Sequence, residues 1–154
     1  MGAVAVDVRE LALLRLHHQA GDGRADHHDT VSHGGVAERA AKDRGGADGL
    51  DGAARAGKLA APLDRSLLAK KQALEAALAG YGRAAEYGIA AVTTEASFAM
   101  ADLYRHLGQS LMESERPGDL SAEELEQYDL LLEEQAFPFE EKAIQLHEAN
   151  AART

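Results

Sequence analysis

The chain reads as an all-α protein: antiparallel helical hairpins over residues 58–154, preceded by a largely disordered tail over 1–57. Three observations predict this. Beyond Gly57, apolar residues recur at intervals of three, four or seven, the period of one helix face. Ser121 stands three residues before Glu124 and just ahead of such a run, the spacing at which a hydroxyl and a carboxylate cap each other's exposed backbone amides. No strand-like alternation of useful length occurs anywhere.

The tail is set apart by composition. Residues 1–57 hold ten of the fifteen glycines and no Phe, Tyr or Trp, whereas all seven aromatics lie between Leu78 and Glu140. Within it, Ala3 to His18 carries Val6, Leu11, Leu14 and Leu16 among Asp7, Arg9, Glu10 and Arg15, a pattern compatible with one short amphipathic helix. Residues 19–57 then pass through GDG, HGG and GGADGLDG. The backbone entropy of glycine opposes ordering there, and few large apolar side chains offset it, so a flexible segment is expected.

Three helices follow. Pro62 suits a first helical turn, and Leu63, Leu67, Leu74, Leu78, Tyr81 and Ala85 then form one face that ends near Gly88. Thr93 is the expected cap of the second helix, with Glu95 near its positive end and Ala96, Ala99, Leu103, Leu107 and Leu111 as its inner stripe. Residues 115–119, ERPGD, end it. In the third, Leu125, Tyr128, Leu132, Phe139, Ala143 and Leu146 align inward while Glu126, Glu133, Glu134, Glu140 and Glu141 face outward. Pro138 lacks the amide that would bond to the Glu134 carbonyl, a defect of about 3 kcal/mol inside a helix. Burial of Phe137 and Phe139, roughly 1.5–3 kcal/mol each, is expected to hold a kinked helix together rather than leave a break.

Charge and composition exclude several functions. The net charge of −10 resides mostly beyond Gly57, and Arg116 is the sole basic residue among eleven acidic ones from Glu113 to Glu141. Such a surface repels phosphate backbones and anionic headgroups, so nucleic acid is not an expected partner. No cysteine is present, which removes disulfides, thiol nucleophiles and thiolate ligands. No apolar run approaches the roughly 18 residues of a membrane span, so no membrane insertion is expected. The start, MGAVAVDVRE, lacks the basic opening of a secretory signal and has Val6 where a myristoylation motif needs a hydroxyl; a cytoplasmic location is the reading that follows, with the compartment left open.

Candidate chemistry is sparse. His17, His18, His27, His28 and His33 alternate with Asp22, Asp26 and Asp29, ligand types suited to a divalent metal, but a selective site needs a rigid scaffold that this Gly-rich context does not supply. Asp26-His27-His28 resembles the short signature of the DHH phosphoesterases, and His28-Asp29 the core of the HD phosphohydrolases, without the further ligands or the ordered elements of either family. The adjacent carboxylates Glu123 with Glu124, Glu133 with Glu134 and Glu140 with Glu141 point about 100° apart on a helix and read as a solvated face. His106 and His147 stand singly and are given no chemistry. No catalytic residue, metal site or cofactor is expected.

Small residues are more informative, since closely crossing helices need Ala or Gly where backbones approach. Ala77, Tyr81 and Ala84 follow the small-large-small spacing of the second helix of a tetratricopeptide repeat, and Ala101 with Tyr104 that of its first helix. From about Lys58 to Arg153 the chain resembles the C-terminal region of large bacterial tetratricopeptide-repeat (TPR) proteins, most specifically at Gln135-Ala136-Phe137-Pro138-Phe139-Glu140-Glu141-Lys142-Ala143-Ile144. It departs from the repeat in having no tryptophan, Ala101 in place of glycine, no closing proline and an acidic insertion between helices. The resemblance implies a TPR-like α-solenoid fragment, non-catalytic, that holds protein or peptide partners; some relatives belong to the cell envelope. Two alternatives stand beside it: a self-associating helical protein, and a metal-binding or hydrolytic protein using the N-terminal His/Asp cluster.

Arithmetic on repeats then locates the expected surfaces. Roughly three stacked units are needed for independent stability, and residues 58–153 supply about one and a half. The helix of Pro62 to Tyr87 is therefore expected to leave Leu67, Leu74 and Leu78 open to a second copy, a helical partner or further repeats. Asp102, Arg105 and Gln109 are expected on the opposite, ligand-binding face.

Overall fold

The computed structural model describes residues 33–60 and 63–153. Four helices make it up: α1 (His33–Arg55), α2 (Leu63–Glu86), α3 (Ala90–Met112) and α4 (Ala122–Ala151). Among the described residues there is no strand, so the all-α class is the one the chain adopts.

α1 is the main departure from the sequence reading, which places residues 19–57 in a flexible segment. Residues 33–55 are helical instead. The physical reason is the sorting of small residues around the helix. Ala40, Ala47 and Ala54, seven apart, are buried, while Gly45, Gly46, Gly49 and Gly52 lie on the exposed side. Glycine's entropy argument holds for an isolated segment, but tertiary packing of one face overrides weak propensity. The short helix read at 3–18 and the tail up to residue 32 lie outside the described residues.

α2 supplies the other half of that packing. Leu67, Leu74 and Tyr81 recur every seventh residue, with Lys70, Ala77 and Ala84 three residues after each, and all six are buried. This is a two-per-seven seam of the kind that lets helices wrap side by side. The pairing is antiparallel: Tyr87 Oη donates to Asp43 Oδ2 (3.0 Å) near one end, and Lys70 reaches the last carbonyls of α1 at the other. Lys70 Nζ donates to the carbonyls of Arg55, Ala56 and Gly57 at 3.4, 3.4 and 3.2 Å, placing a cation where the helix leaves its acceptors unpaired. Gly57 (φ +78°) and Gly88 (φ +68°) follow the ends of α1 and α2 in the left-handed conformation that terminates helices at low steric cost.

The seam is tightest at Gly80. A Cβ built there meets Ala47 Cβ at 2.8 Å and Ala47 Cα at 3.2 Å, and neither atom belongs to a flexible side-chain end. Gly80→Ala should therefore destabilise the fold by about 1–3 kcal/mol, as overpacking does, although alanine is the better helix former by about 1 kcal/mol. Gly82→Ala, with nothing within 4 Å of its Cβ, should do the opposite. Urea unfolding of both variants decides it, and a Gly80→Ala chain as stable as wild type means the two helices do not cross so closely.

α3 begins earlier than expected. Its N-cap is Ile89, with no side-chain cap bond, and Thr93 lies inside the first turn, where its hydroxyl donates back to the Ala85 carbonyl (3.2 Å) and ties α3 to the end of α2. Ala96, Leu103, Leu107 and Leu111 are buried as the periodicity predicts. α3 packs on α2 and α1 to one side and on α4 to the other. Leu103 and Leu107 share a core with Leu74, Ala77, Tyr81 and Ala47.

Arg116 organises the connection to α4, donating to the carbonyls of Met112 (2.9 Å) and Ser114 (2.6 Å) and to Asp129 Oδ1 (2.7 Å). The capping box forms as expected, Ser121 N to Glu124 Oε2 at 2.8 Å and Glu124 N to Ser121 Oγ at 3.3 Å. α4 then runs without interruption through Pro138. Phe139 stacks on Tyr104 with centroids 6.4 Å apart, but Phe137 is 62% exposed, so only one of the two phenylalanines expected in the core is there. The second hairpin is closed at its far end by Asn150 Nδ2 on the Thr94 carbonyl (3.3 Å) and Arg153 Nη1 on Ser97 Oγ (3.2 Å).

Candidate interaction surfaces

Leu67 and Leu74, expected on an open face, are 7% and 6% exposed, and Leu78 is half-buried against the same core. α1 occupies the side of α2 that the sequence reading leaves bare. Leu67 and Leu74 are core residues of this chain and are not available to a partner.

Asp102, Arg105 and Gln109 do come together, at the solvent end of a polar ridge crossing three helices. Tyr81 Oη on α2 donates to Asp48 Oδ1 (2.7 Å) and faces Asp51 Oδ2 (3.3 Å), both on α1. Arg55 holds the same Asp51 with two nitrogens, Nη2 to Oδ2 at 3.1 Å, and its Nη1 stands 3.7 Å from Asp102 Oδ2 on α3. Arg105 in turn donates to Asp102 Oδ1 from Nε (3.3 Å) and Nη2 (3.1 Å), and to Gln109 Oε1 from Nη1 (3.3 Å). Such linked charge-assisted bonds fix α1, α2 and α3 relative to one another. Of Asp102, Arg105 and Gln109, the last two are exposed, as is Asp48 on α1.

The ridge and the packing raise the pKa of all four tyrosines, chiefly through burial for Tyr81, Tyr104 and Tyr128 and through the bond to Asp43 for Tyr87. A phenol whose folded pKa lies above its ordinary value of 10.0 contributes stability that is complete below pH 10 and is lost as pH climbs through the raised value. Lys70, lowered by burial, acts in the opposite sense between its folded pKa and 10.5. Phenolate absorbance of the folded chain should consequently lag that of the urea-denatured chain, and the urea midpoint should fall above pH 10, less steeply in Tyr81→Phe. Coincident titrations of folded and denatured chains would rule this out.

His106 is close to this ridge, and burial, followed by the nearby Lys70, Arg55 and Arg105 charges, lowers its pKa, which favours the neutral imidazole. Its neighbour Ser110 directs its single hydroxyl proton to the His106 carbonyl (2.8 Å) while lying 3.4 Å from Nδ1, so the pair is not arranged as base and nucleophile. Among the described residues, no group of three or more His, Asp or Glu is placed to hold a metal ion. Of the N-terminal cluster, His17, His18, His27 and His28 lie outside the described residues, as does the side chain of His33.

A surface that the sequence reading did not single out lies on α4. Leu130, Phe137 and Ile144 are 62%, 62% and 57% exposed, seven residues apart, on the side of the helix opposite Tyr128, Leu132 and Ala143. Each sits midway in a row of i−4, i, i+4 positions whose ends are glutamates: Glu126–Leu130–Glu134, Glu133–Phe137–Glu141 and Glu140–Ile144–Glu148. On α3, Phe98 (55% exposed) meets the His147 ring edge-on at 5.2 Å beside this face. The outward glutamates were legible; of the apolar residues between them, Phe137 alone was assigned a place, in the core, and it is exposed. Among the described residues no helix is long and apolar enough to cross a membrane. Compared with protein-family profiles, curated proteins and solved structures, the chain matches none.

Proposed function

We propose that this chain is a non-catalytic protein-interaction module, a short helical scaffold on a tetratricopeptide-like plan. The observation that carries the reading is the outer face of α4, where three large apolar side chains at heptad spacing meet solvent while Tyr128, Leu132, Ala136 and Ala143 on the opposite side are buried. Contiguous exposed apolar surface is a mark of interaction sites. Support for the plan comes from two antiparallel hairpins placed side by side, with α1 and α3 adjacent as the leading helices of successive units. The units are long: α1 and α2 alone contain 23 and 24 residues, against about 34 for a whole tetratricopeptide repeat. Arg105 and Gln109 form a second, polar patch.

The test compares proteins cross-linked to the full chain in lysate from cells that express it with those cross-linked to Leu130→Ser/Phe137→Ser/Ile144→Ser. The substitutions remove exposed groups, so the melting temperature should stay within about 2 °C of wild type, as surface changes near ±0.5 kcal/mol imply. Loss of a specific partner at unchanged stability is the expected result. Identical partners for both chains would refute α4 as the surface, and a wild-type dimer dispersed by the triple substitution would favour the self-associating alternative.

A further inference from the structure

We infer that the outer face of α4 docks a basic amphipathic helix of another protein, its apolar side chains resting on Leu130, Phe137 and Ile144 and its Lys or Arg residues meeting the flanking glutamates. This rests on the interaction reading above and names the partner's chemistry. Length is the first argument. From Leu130 to Ile144 the stripe runs roughly 21 Å, four turns of helix, and its seven-residue interval is the one at which a second helix keeps its own stripe in register.

Charge selects the occupant. Phe137, at the centre, has glutamates at i−4, i−3, i+3 and i+4, namely Glu133, Glu134, Glu140 and Glu141. Lys142 and His147 are the only basic residues of α4; Lys142 projects about 140° from the stripe axis, and His147 lies at its edge against Phe98. An apolar seam flanked by carboxylates along both sides determines partner choice as flanking charges do in paired helices. A second copy of this chain would bring the same glutamates against each other, and like charges across an interface are a specificity barrier. An anionic membrane surface is repelled for the same reason. A helix with lysines or arginines beside its apolar stripe satisfies both features at once.

Three fluorescein-labelled synthetic peptides of about five helical turns serve as probes. One carries leucines at heptad spacing flanked by lysines; the second has glutamates in place of the lysines; the third is the first with its order scrambled so that no stripe remains. Anisotropy titrations use the full wild-type chain, Phe137→Ala and Glu133→Lys/Glu141→Lys, each checked for unchanged helix content and melting temperature. The lysine peptide should bind wild type at least about tenfold tighter than the other two, and Phe137→Ala should weaken it by about tenfold, the scale of a central interface residue. In the charge-reversed chain, where four of the six flanking glutamates remain beside two lysines, the preference for the lysine peptide should shrink. Raising salt to about 1 M, where the screening length falls to about 3 Å, should narrow the difference.

Equal binding of the lysine and glutamate peptides, with loss in Phe137→Ala, overturns the basic partner and leaves the interaction module standing. Equal binding of the scrambled peptide reduces the effect to net charge and overturns the inference. A wild-type dimer that Phe137→Ala disperses assigns the face to a second copy and overturns it as well. Failure of every peptide on a monomeric chain overturns the inference and removes the support that α4 gives the module.

Discussion

Changing Leu67 and Leu74 together to lysine should abolish cooperative folding of the first hairpin. Each leucine is almost wholly buried, and Leu74 belongs to the same core cluster as Ala47 and Ala54 of α1. Removing such a side chain costs about 2–5 kcal/mol, and a lysine in its place must bury an ammonium or force the helices apart. Two such losses consume most of the roughly 5–15 kcal/mol by which a domain of this size is stable. Far-UV circular dichroism should show reduced helix content at room temperature and a melt without a sharp transition. A double variant that keeps the wild-type melting temperature would mean that α1 does not cover these leucines in solution, and would restore them as an open docking face.

That expectation is opposite to the one the sequence supports, and the difference traces to α1. Once residues 33–55 are read as flexible, nothing remains to cover α2, and its most regular stripe is left as an exposed surface awaiting further repeats. A local signal was present: Ala40, Ala47 and Ala54 recur at the interval of Leu67, Leu74 and Tyr81, and Arg44–Asp48 and Asp51–Arg55 are i,i+4 ion pairs. It was outweighed by glycine content because the stability of this helix comes from a partner element, which no window of local sequence contains.

Beyond Gly57, legibility followed the range of the interaction. The capping box of Ser121 and Glu124 spans three residues and is formed as read. The inner stripes of α3 and α4 are periodic within a single helix and were legible too, except at Leu125 near the start of α4, which is exposed where the stripe places it inward. Thr93 was misread because its hydroxyl is engaged by Ala85 in the preceding helix, so the helix begins without it. Phe137 and Phe139 are two residues apart, hence about 200° apart around a helix; one stripe cannot bury both, and continuity through Pro138 leaves Phe137 outside. The row Asp102, Arg105 and Gln109 is local and was named. Its attachment through Arg55 and Asp51 to Tyr81 joins residues some thirty to fifty positions apart, and only the fold brings them together.

Replacing Gly45, Gly46, Gly49 and Gly52 together by alanine should stabilise the chain, by about 2–4 kcal/mol if each position contributes the usual 0.5–1 kcal/mol. All four lie within α1, none with positive φ, and a Cβ added at any of them has nothing within 4 Å. The gain acts mainly on the unfolded chain, whose backbone freedom at these positions falls when glycine is replaced, while the folded contacts of Ala40, Ala47 and Ala54 are untouched. For a chain of this length the melting temperature should rise by at least about 5 °C, at an unchanged or slightly smaller dependence on urea. The same substitution at Gly57 or Gly88 should be destabilising, because their positive φ is a conformation alanine adopts only at a cost, and at Gly80 it should be destabilising through Ala47. A solvent-facing helix limited only by its glycines must respond in this pattern of signs. If the fourfold variant melts at or below the wild-type temperature, residues 33–55 are not held as a helix against α2, and the burial of Leu67 and Leu74 loses its explanation with it.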